Sequence, residues 1–293
     1  MTQFYRKKIS LYNQKNNKQW WENNPMDYDW EKFNNFKKYS KQWFDFVDNN
    51  FYLNSIVYHK NKKNFFNEFI NYKKLDKKIV LEIGCGMGLH TEKIILNSKF
   101  KKIISIDITK KAIQTTFRRL KLKNILSSKV KLINCDAEKL PINKDKIDIV
   151  WSWGVIHHSA KTENIIKEIS RVLKPNGEFK IMVYNKLSIR YLILGGLING
   201  IFKMKLFKKN LHEINLEFTD GYYARHFTKK EIINLFKKKN LFVKKIFVLQ
   251  DAWLMPIPGY NFLGKIKIFR SISNFLMQKF GWFLYFEGIK GDN

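Results

Sequence analysis

A glycine-rich turn is the first part of this 293-residue sequence whose residue types suit ligand binding. Residues 80–91, VLEIGCGMGLHT, pass from an apolar run through three glycines into a helix-like stretch. Glycine permits positive φ and a close approach of backbone to ligand, so such a turn suits a nucleotide-like group. The pattern of Gly84, Gly86 and Gly88 is neither the dinucleotide fingerprint G-x-G-x-x-G nor a phosphate loop ending in Gly-Lys. Glu82 would repel a pyrophosphate and favours a positively charged ligand; the alternative is a plain turn without a ligand.

Acidic residues follow the next two apolar runs, and two histidines follow a later one. Asp107 ends the run IISID, Asp136 follows VKLIN, and His157 and His158 follow IDIVW. Ligands of open parallel sheets bind beyond the carboxyl ends of the strands, so these side chains are candidates for one site. Histidine titrates near neutral pH, which makes both histidines candidate general bases. The alternative for each is structural packing, and we expect one histidine of each kind, since adjacent residues point in different directions.

Apolar runs that alternate with helical patterns predict an α/β fold with a parallel sheet and right-handed crossovers. The predicted strands are 79–83, 103–107, 130–134, 147–151, 178–184, 241–249 and 282–286. The predicted helices are 91–96, 110–122, 162–173 and 228–238. A capping box from Thr228 to Glu231 opens the last helix, and the turn sequence KPNG ends the helix before it.

The chain divides into an N-terminal extension and one domain. Residues 1–74 are polar and aromatic, and the spacing of Trp43, Phe44 and Val47 predicts a helical segment that packs on the domain or closes over it. The predicted domain, 75–290, consists of a core (78–184), an insert (187–227) that interrupts the alternation, and a C-terminal part of the sheet (228–290).

Five ordered motifs connect the core elements: LEIGCGMG (81–88), ID (106–107), CDAEKLP (135–141), WSWGVIHH (151–158) and RVLKPNG (171–177). Together they resemble the class I S-adenosylmethionine-dependent methyltransferases, in particular the type 11 methyltransferase domain. The resemblance covers about residues 78–184, with weaker support over 226–249. It implies a Rossmann-like sheet, mostly parallel with an antiparallel last strand, helices on both faces, and S-adenosyl-L-methionine as cofactor.

The resemblance also implies cofactor-binding roles at the matched positions. These are the loop Gly84, Cys85, Gly86 and Gly88 against the methionine part, Glu82 orienting the loop or the methionine amino group, Asp107 on the ribose hydroxyls, Asp136 with Ala137 on the adenine, and Trp153 lining the pocket. A carboxylate suits two hydroxyls because it has two acceptor oxygens. The alternatives are a surface acid for Asp107, a turn-forming residue for Asp136 and core packing for Trp153.

The implied reaction is an in-line methyl transfer to O, N or C of a small molecule, a saccharide or a lipid-like intermediate. Alignment of the reactants supplies much of the rate, and a base is needed only if the acceptor begins protonated. Alternatives are an RNA methyltransferase, suggested by charge alone, and a non-catalytic cofactor-binding or scaffold protein. The fourth strand is not followed by Asn-Pro-Pro-Tyr, which argues against methylation of an amino group of adenine or glutamine. The sequence has no Pro-Cys pair for covalent attack on a cytosine. Two cysteines are too few for a three-cysteine iron–sulfur centre, which excludes radical chemistry on such a centre. We expect no metal.

The net charge of +30 comes from 55 basic and 25 acidic residues. It fits either an anionic partner or a general bias toward Lys, Asn, Ile and Phe, and the even spread of lysines favours the bias.

In the insert, Arg225 is a candidate clamp for a carboxylate or phosphate, or a surface arginine. The apolar segments 191–202 and 262–277 predict core packing, with a lipid pocket or membrane contact as the alternative. The absence of a disulfide framework, signal sequence or spanning segment predicts a cytoplasmic protein, with peripheral contact at the inner membrane face as an alternative.

Overall fold

A computed structural model describes residues 13–26, 35–55, 66–250, 275–276 and 279–292 of the chain. The strands are β1 (Ile79–Ile83), β2 (Lys102–Asp107), β3 (Val130–Asn134), β4 (Ile147–Trp153), β5 (Leu173–Asn185), β6 (His226–Phe227), β7 (Leu241–Leu249) and β8 (Phe283–Lys290). The helices are α1 (Gln14–Asn23), α2 (Lys41–Asn54), α3 (Asn67–Ile70), α4 (Leu89–Asn97), α5 (Lys110–Leu122), α6 (Thr162–Val172), α7 (Leu211–Leu216) and α8 (Lys229–Lys237). Short 3₁₀ turns occupy Tyr72–Leu75, Ile156–His158 and Lys205–Phe207, and a π-helix spans Arg190–Phe202.

The strands form one mixed sheet in the order β3-β2-β1-β4-β5-β8-β7, with β6 pairing beside β5. Strands β1 to β5 pair in parallel, whereas β8 lies antiparallel between β5 and β7. The predicted α/β class, and the mostly parallel sheet with an antiparallel last strand, are therefore confirmed.

Helices cover both faces of the sheet, as predicted. Leu81 and Ile83 of β1 belong to the apolar cluster that includes α6 and α8. Val80, which precedes Leu81, belongs to the cluster on the other face, which includes α3 and α4. This split follows from the period-2 alternation of side chains in a strand, and residues 80–83 of β1 are buried.

Strands β2 and β4 differ from their predicted bounds by one and two residues, and β5 and β8 differ by more. Strand β5 begins at Leu173, and the KPNG sequence forms a bulge inside it, where the pairing passes from Ile147↔Leu173 to Ile149↔Glu178. Strand β8 continues to Lys290, four residues beyond the predicted end, because antiparallel pairing with β5 and β7 satisfies its backbone.

The N-terminal helix α2 attaches to the domain through a buried arginine. Trp43, Phe44 and Val47 form the buried face that their spacing predicts. Arg119 of α5 is fully buried and donates to Glu92 of α4 at 2.5 Å and to Asp48 of α2. The predicted apolar segment 262–277 lies outside the described residues except for positions 275 and 276. Nothing in these contacts tests the domain boundaries, which stay predictions.

Candidate active site

The glycine loop after β1 has the open geometry that its sequence predicts. Gly84, Gly86 and Gly88 all have positive φ, at +80°, +51° and +81°. A Cβ on Gly84 would lie 2.2 Å from a methyl carbon of Val155, so the loop packs tightly on the segment after β4. A Cβ on Gly86 would meet nothing within 4 Å, so this part of the loop faces open space where a ligand can approach the backbone.

Asp107 at the end of β2 holds this loop in place. Its Oδ2 accepts a hydrogen bond from the backbone N–H of Gly86 at 3.1 Å. Its Oδ1 accepts from the N–H and the hydroxyl of Thr109, each at 2.9 Å. Burial raises the pKa of Asp107, although the hydrogen bonds from Thr109 and Gly86 oppose the rise. A carboxylate has about four lone-pair directions, so these three bonds leave capacity for a further donor.

Glu82 is a buried carboxylate with one oxygen satisfied and one not. Its Oε2 accepts from the hydroxyl of Ser105 at 2.6 Å and from that of Thr91. Its Oε1 has no hydrogen-bond partner among the described residues. Burial raises the pKa of Glu82 to about 7, and the nearby charge of Asp107 adds to the rise. A donor or positive charge next to Oε1 would relieve this penalty, so the site is suited to an amino group.

Asp136, beyond the end of β3, contacts the N-terminal helix. Its Oδ1 accepts from the N–H of Glu138 at 2.9 Å and from Nε2 of Gln14 at 3.0 Å. The other side-chain atom of that amide, Oε1 of Gln14, accepts from the N–H of Ala160 at 3.0 Å. Burial raises the pKa of Asp136. Sequence reasoning did not identify Gln14, whose contact with Asp136 joins positions 122 residues apart.

The far end of α1 lies beside Asp107. Glu22 accepts from the backbone N–H groups of Lys110 and Lys111, each at 3.0 Å, at the start of α5. Helix α1 therefore extends across the ends of β2 and β3, from Asp136 to the start of α5. The sequence did not predict this helix, and closure of the N-terminal segment over the domain stays a prediction.

Strand register brings the acidic residues and the loop to one edge of the sheet. Ile83 pairs with Ile106, and Asp107 pairs with Asn134, in neighbouring parallel strands. Gly84, Asp107 and Asp136 consequently follow the ends of three adjacent strands, as predicted for a site beyond the carboxyl edge.

The other three predicted cofactor-binding residues have different surroundings: Cys85, Ala137 and Trp153. The Cys85 side chain is buried against Thr116, and burial raises the pKa of its thiol well above the ordinary value, so only its backbone faces the loop. Ala137 is buried directly after Asp136. The Trp153 ring stacks on Trp151 at 5.5 Å and meets Phe66 edge-on at 4.9 Å. Nothing in those ring contacts bears on a cofactor, and the pocket role of Trp153 stays a prediction.

The two histidines after β4 lie in one short turn with different surroundings. His157 is fully buried, neither ring nitrogen has a partner among the described residues, and burial lowers its pKa well below the ordinary 6.5. His158 contacts the carbonyl oxygen of Tyr223 through Nδ1 at 2.7 Å. A carbonyl only accepts, so Nδ1 carries the proton and Nε2 is the basic nitrogen of the neutral ring. His158 is thus oriented by a carbonyl, whereas His157 is packed without a hydrogen bond at its ring among the described residues; the division into one functional and one structural histidine stays a prediction.

An aromatic cluster that sequence reasoning missed surrounds these histidines. The Tyr184 ring lies 4.0 Å from that of His157 and 5.4 Å from that of His226, and Tyr191 lies 4.7 Å from His226. His226 is buried, both its ring nitrogens lack partners among the described residues, and burial lowers its pKa well below the ordinary value. The residues come from β5, β6 and the π-helix, so only the folded chain brings them together.

The two arginines of the insert, Arg225 and Arg190, lie in different environments. Arg225 pairs with Glu163 at 2.5 Å and lies over the Phe227 ring, which fits the surface alternative and not the predicted clamp. Arg190 donates through Nη2 to the carbonyl of Phe218 at 2.7 Å, while its Nε is buried without a partner among the described residues. Its guanidinium lies 5.1 Å from the centre of the Trp282 ring, at the edge of the histidine cluster.

In the part of the chain that the structure describes, no group of three His, Cys, Asp or Glu side chains is arranged to hold a metal ion. The same residues contain no helix with the length and hydropathy that a membrane crossing requires.

The core of the chain is similar to known proteins. Residues 81–181 match the methyltransferase domain family. The ubiquinone biosynthesis O-methyltransferase of Pelagibacter ubique is 26% identical over 74% of this chain and 88% of that protein.

Two solved structures share the fold. One is a complex between the Haloferax volcanii Trm112 methyltransferase activator and a proposed methyltransferase, with a TM-score of 0.58 and 14% identity over 92% of this chain and 99% of that one. The other is geranyl diphosphate C-methyltransferase from Streptomyces coelicolor, solved with S-adenosyl-L-homocysteine. It has a TM-score of 0.51 and 14% identity over 78% of this chain and 75% of that one.

Proposed function

As the chain belongs to the class I S-adenosylmethionine-dependent methyltransferases, we propose that it methylates an oxygen of a small or lipid-like acceptor held beneath the insert. The observation that carries the choice of oxygen is His158, whose Nδ1 is held by the Tyr223 carbonyl at 2.7 Å. A hydroxyl begins protonated and needs a base, and an oriented neutral histidine is suited to that task. The similarity to an O-methyltransferase over 74% of the chain also supports it.

The cofactor would occupy the edge formed by the ends of β1, β2 and β3, where the polar groups fit it. The orphaned Oε1 of Glu82 would accept from the amino group of the methionine part, directly or through the loop. The backbone of Gly84, Cys85, Gly86 and Gly88 would hold that part of the cofactor. Asp107 has acceptor capacity left for the ribose hydroxyls, and Asp136 with the backbone of Ala137 would bind the adenine.

The bound cofactor supplies an activated methyl group, and the protein supplies alignment and proton removal. The insert and the turn after β4 hold the acceptor hydroxyl toward the loop. His158 Nε2 accepts the hydroxyl proton as the oxygen attacks, while the Tyr223 carbonyl stabilises the resulting imidazolium through Nδ1–H. His157 stays neutral in its buried position and packs the turn. Alignment in a water-poor pocket supplies much of the remaining rate.

Calorimetry followed by a methyl-transfer assay tests this function. We expect the purified chain to bind S-adenosylmethionine and S-adenosylhomocysteine and to bind nicotinamide dinucleotide far more weakly. With the methyl group isotopically labelled, a panel of phenols, alcohols, amines and carboxylic acids is then screened for labelled product. Label in hydroxyl acceptors supports the proposal. Label only in amines contradicts the choice of oxygen, label only in carboxylic acids contradicts the hydroxyl acceptor and the need for a base, and absence of cofactor binding removes the basis of the proposal.

A further inference from the structure

The insert exposes an unusually apolar surface. The π-helix Arg190–Phe202 and the turn after it present a row of large apolar side chains to solvent, here called the insert face: Leu192, Ile193, Leu197, Ile201, Phe202 and Phe207. Phe202 is 72% exposed and Phe207 is 82% exposed. Single exposed apolar residues are ordinary, but a contiguous row marks a surface that contacts a partner or a membrane.

The orientation of this helix is fixed with its small residues inside. Its buried positions are Tyr191, Gly195, Asn199 and Gly200, so apart from Tyr191 the inner side carries small or polar residues and most of the large apolar residues lie outward. A Cβ on Gly195 would lie 2.2 Å from Nδ2 of Asn215, and that same amide donates to the Tyr191 carbonyl at 3.2 Å. The helix therefore packs too closely against α7 to rotate, because any larger side chain in place of Gly195 would collide.

Positive charge surrounds the insert face. Residues 186–212 contain six Lys and Arg residues and no Asp or Glu. Lys203 and Lys208 are exposed next to the two phenylalanines, while Lys205 and Lys209 share a single partner, Glu217. The whole chain adds a net charge of +30. An apolar row flanked by lysines is the composition of helices that lie in the plane of an anionic membrane surface.

We propose that the insert face docks on an anionic lipid bilayer, with the helix lying in the interface and not crossing it. A second copy of the chain is a weaker match, because two such lysine-rich rims would repel each other and protein interfaces are depleted in lysine. Phospholipid headgroups supply the negative charge that the rim lacks, and the acyl region takes up the apolar side chains.

In the docked orientation the aromatic cluster around His157 and His226 lies next to the lipid. The inner side of the same helix carries Tyr191, whose ring lies 4.7 Å from that of His226 in the cluster. An acceptor with an apolar tail would then reach the cluster from the bilayer without crossing water. This consequence rests on the proposed methyl transfer, whereas the docking itself does not.

Co-sedimentation with lipid vesicles tests the docking. The full chain is mixed with vesicles of phosphatidylcholine alone or of phosphatidylcholine with phosphatidylglycerol, and the bound fraction is measured at two salt concentrations. We expect binding to the anionic vesicles that weakens at high salt. Phe202→Ser with Phe207→Ser should weaken it about tenfold or more. Lys203→Glu with Lys208→Glu should weaken it about 25-fold or more, at about fivefold for each lysine lost near an anionic surface.

Matched controls separate the face from general charge and hydrophobicity. Phe117→Ser with Phe247→Ser removes two aromatic rings elsewhere that are each 47% exposed, and Lys121→Glu with Lys244→Glu makes the same change in net charge elsewhere. If the controls weaken binding as much as the variants of the insert face, or if the wild-type chain does not sediment with anionic vesicles, the proposal is overturned. Loss of self-association in the insert-face variants without an effect on vesicle binding would assign the face to a second copy. Calorimetric cofactor binding reports on the proposed function separately, because no residue of the insert face belongs to the cofactor edge.

Discussion

The cofactor side of the site, formed by the ends of β1, β2 and β3, differs from the acceptor side, formed by the turn after β4, β6 and the insert, in how polar groups are satisfied. On the cofactor side, Asp107 accepts three hydrogen bonds and Asp136 accepts two. On the acceptor side, both ring nitrogens of His157 and of His226 are buried without a hydrogen-bond partner among the described residues. The two aspartates of the cofactor side are held by hydrogen bonds and Glu82 has one unpartnered oxygen, whereas the buried rings of the acceptor side have no hydrogen bond at either nitrogen. Buried polar atoms without partners destabilise a fold, so such atoms at a pocket indicate where a ligand supplies the missing contacts.

The largest effect should come from replacing the oriented histidine on the acceptor side. We expect His158→Gln to lower turnover about 100- to 10,000-fold, because a positioned base contributes that much to rate, and to leave cofactor affinity nearly unchanged. Turnover by isotope transfer and cofactor affinity by calorimetry give the two quantities. His157→Gln is the control, and we expect it to lower the melting temperature with turnover per folded molecule preserved. Full turnover in well-folded His158→Gln would leave alignment as the main source of catalysis.

The two sides should also respond oppositely to pH. Glu82 has a pKa raised from 4.5 to about 7, so its contribution to stability is present below pH 4.5 and is lost as pH rises toward 7. The loss amounts to about 3 kcal/mol of unfolding free energy, at about 1.4 kcal/mol per pKa unit. For His157 and His226 the folded pKa is lowered, so their contribution is present above pH 6.5 and is lost as pH falls below it.

Urea unfolding of the cofactor-free chain across this pH range measures both slopes. Glu82→Gln should remove the loss of stability between pH 4.5 and 7, and His226→Phe should reduce the loss below pH 6.5. Profiles parallel to the wild-type profile in both variants would contradict the difference between the two sides.

A smaller effect is expected on the cofactor side from Asp107→Ala. The substitution removes the acceptor of the Gly86 N–H and the proposed acceptor of the ribose hydroxyls, and hydrogen bonds to a charged group contribute about 1.5–3 kcal/mol. We therefore expect cofactor affinity to fall about 10- to 150-fold in calorimetry. Asp45→Ala, which removes an exposed carboxylate from α2, should leave it unchanged. Equal affinities for Asp107→Ala and the wild-type chain would show that the loop binds the cofactor through other groups.

The smallest effect concerns Gln14, which connects α1 to the cofactor side. Its amide donates to the Asp136 oxygen at 3.0 Å, where the adenine amino group is proposed to bind. If the adenine amino group must displace the Gln14 amide from the Asp136 oxygen, Gln14→Ala should tighten cofactor binding by about 0.5–1.5 kcal/mol, or roughly 2- to 12-fold. Gln19→Ala, an exposed change on the same helix, is the control. Weaker binding in Gln14→Ala would instead make Gln14 part of the adenine site.

The order of the core elements and the placing of most residues of the proposed cofactor side follow from local sequence patterns. The bounds of β1, β3 and β7 agree with their predictions, because an apolar run of strand length between turn residues is a local feature. The glycine loop, Asp107 and Asp136 each lie within a short motif at a strand end, so strand order alone places them together.

The residues that meet on the acceptor side, the extent of β8 and the position of α1 depend on contacts between distant parts of the chain. The cluster of His157, Tyr184 and His226 joins three separate elements, and Gln14 meets Asp136 across 122 residues. The outward face of the insert helix was also mispredicted as core packing, because an apolar segment has the same composition whether it is buried or exposed. Which side faces outward was set by the close contact of Gly195 with Asn215, a steric constraint that exists only once the two helices have packed.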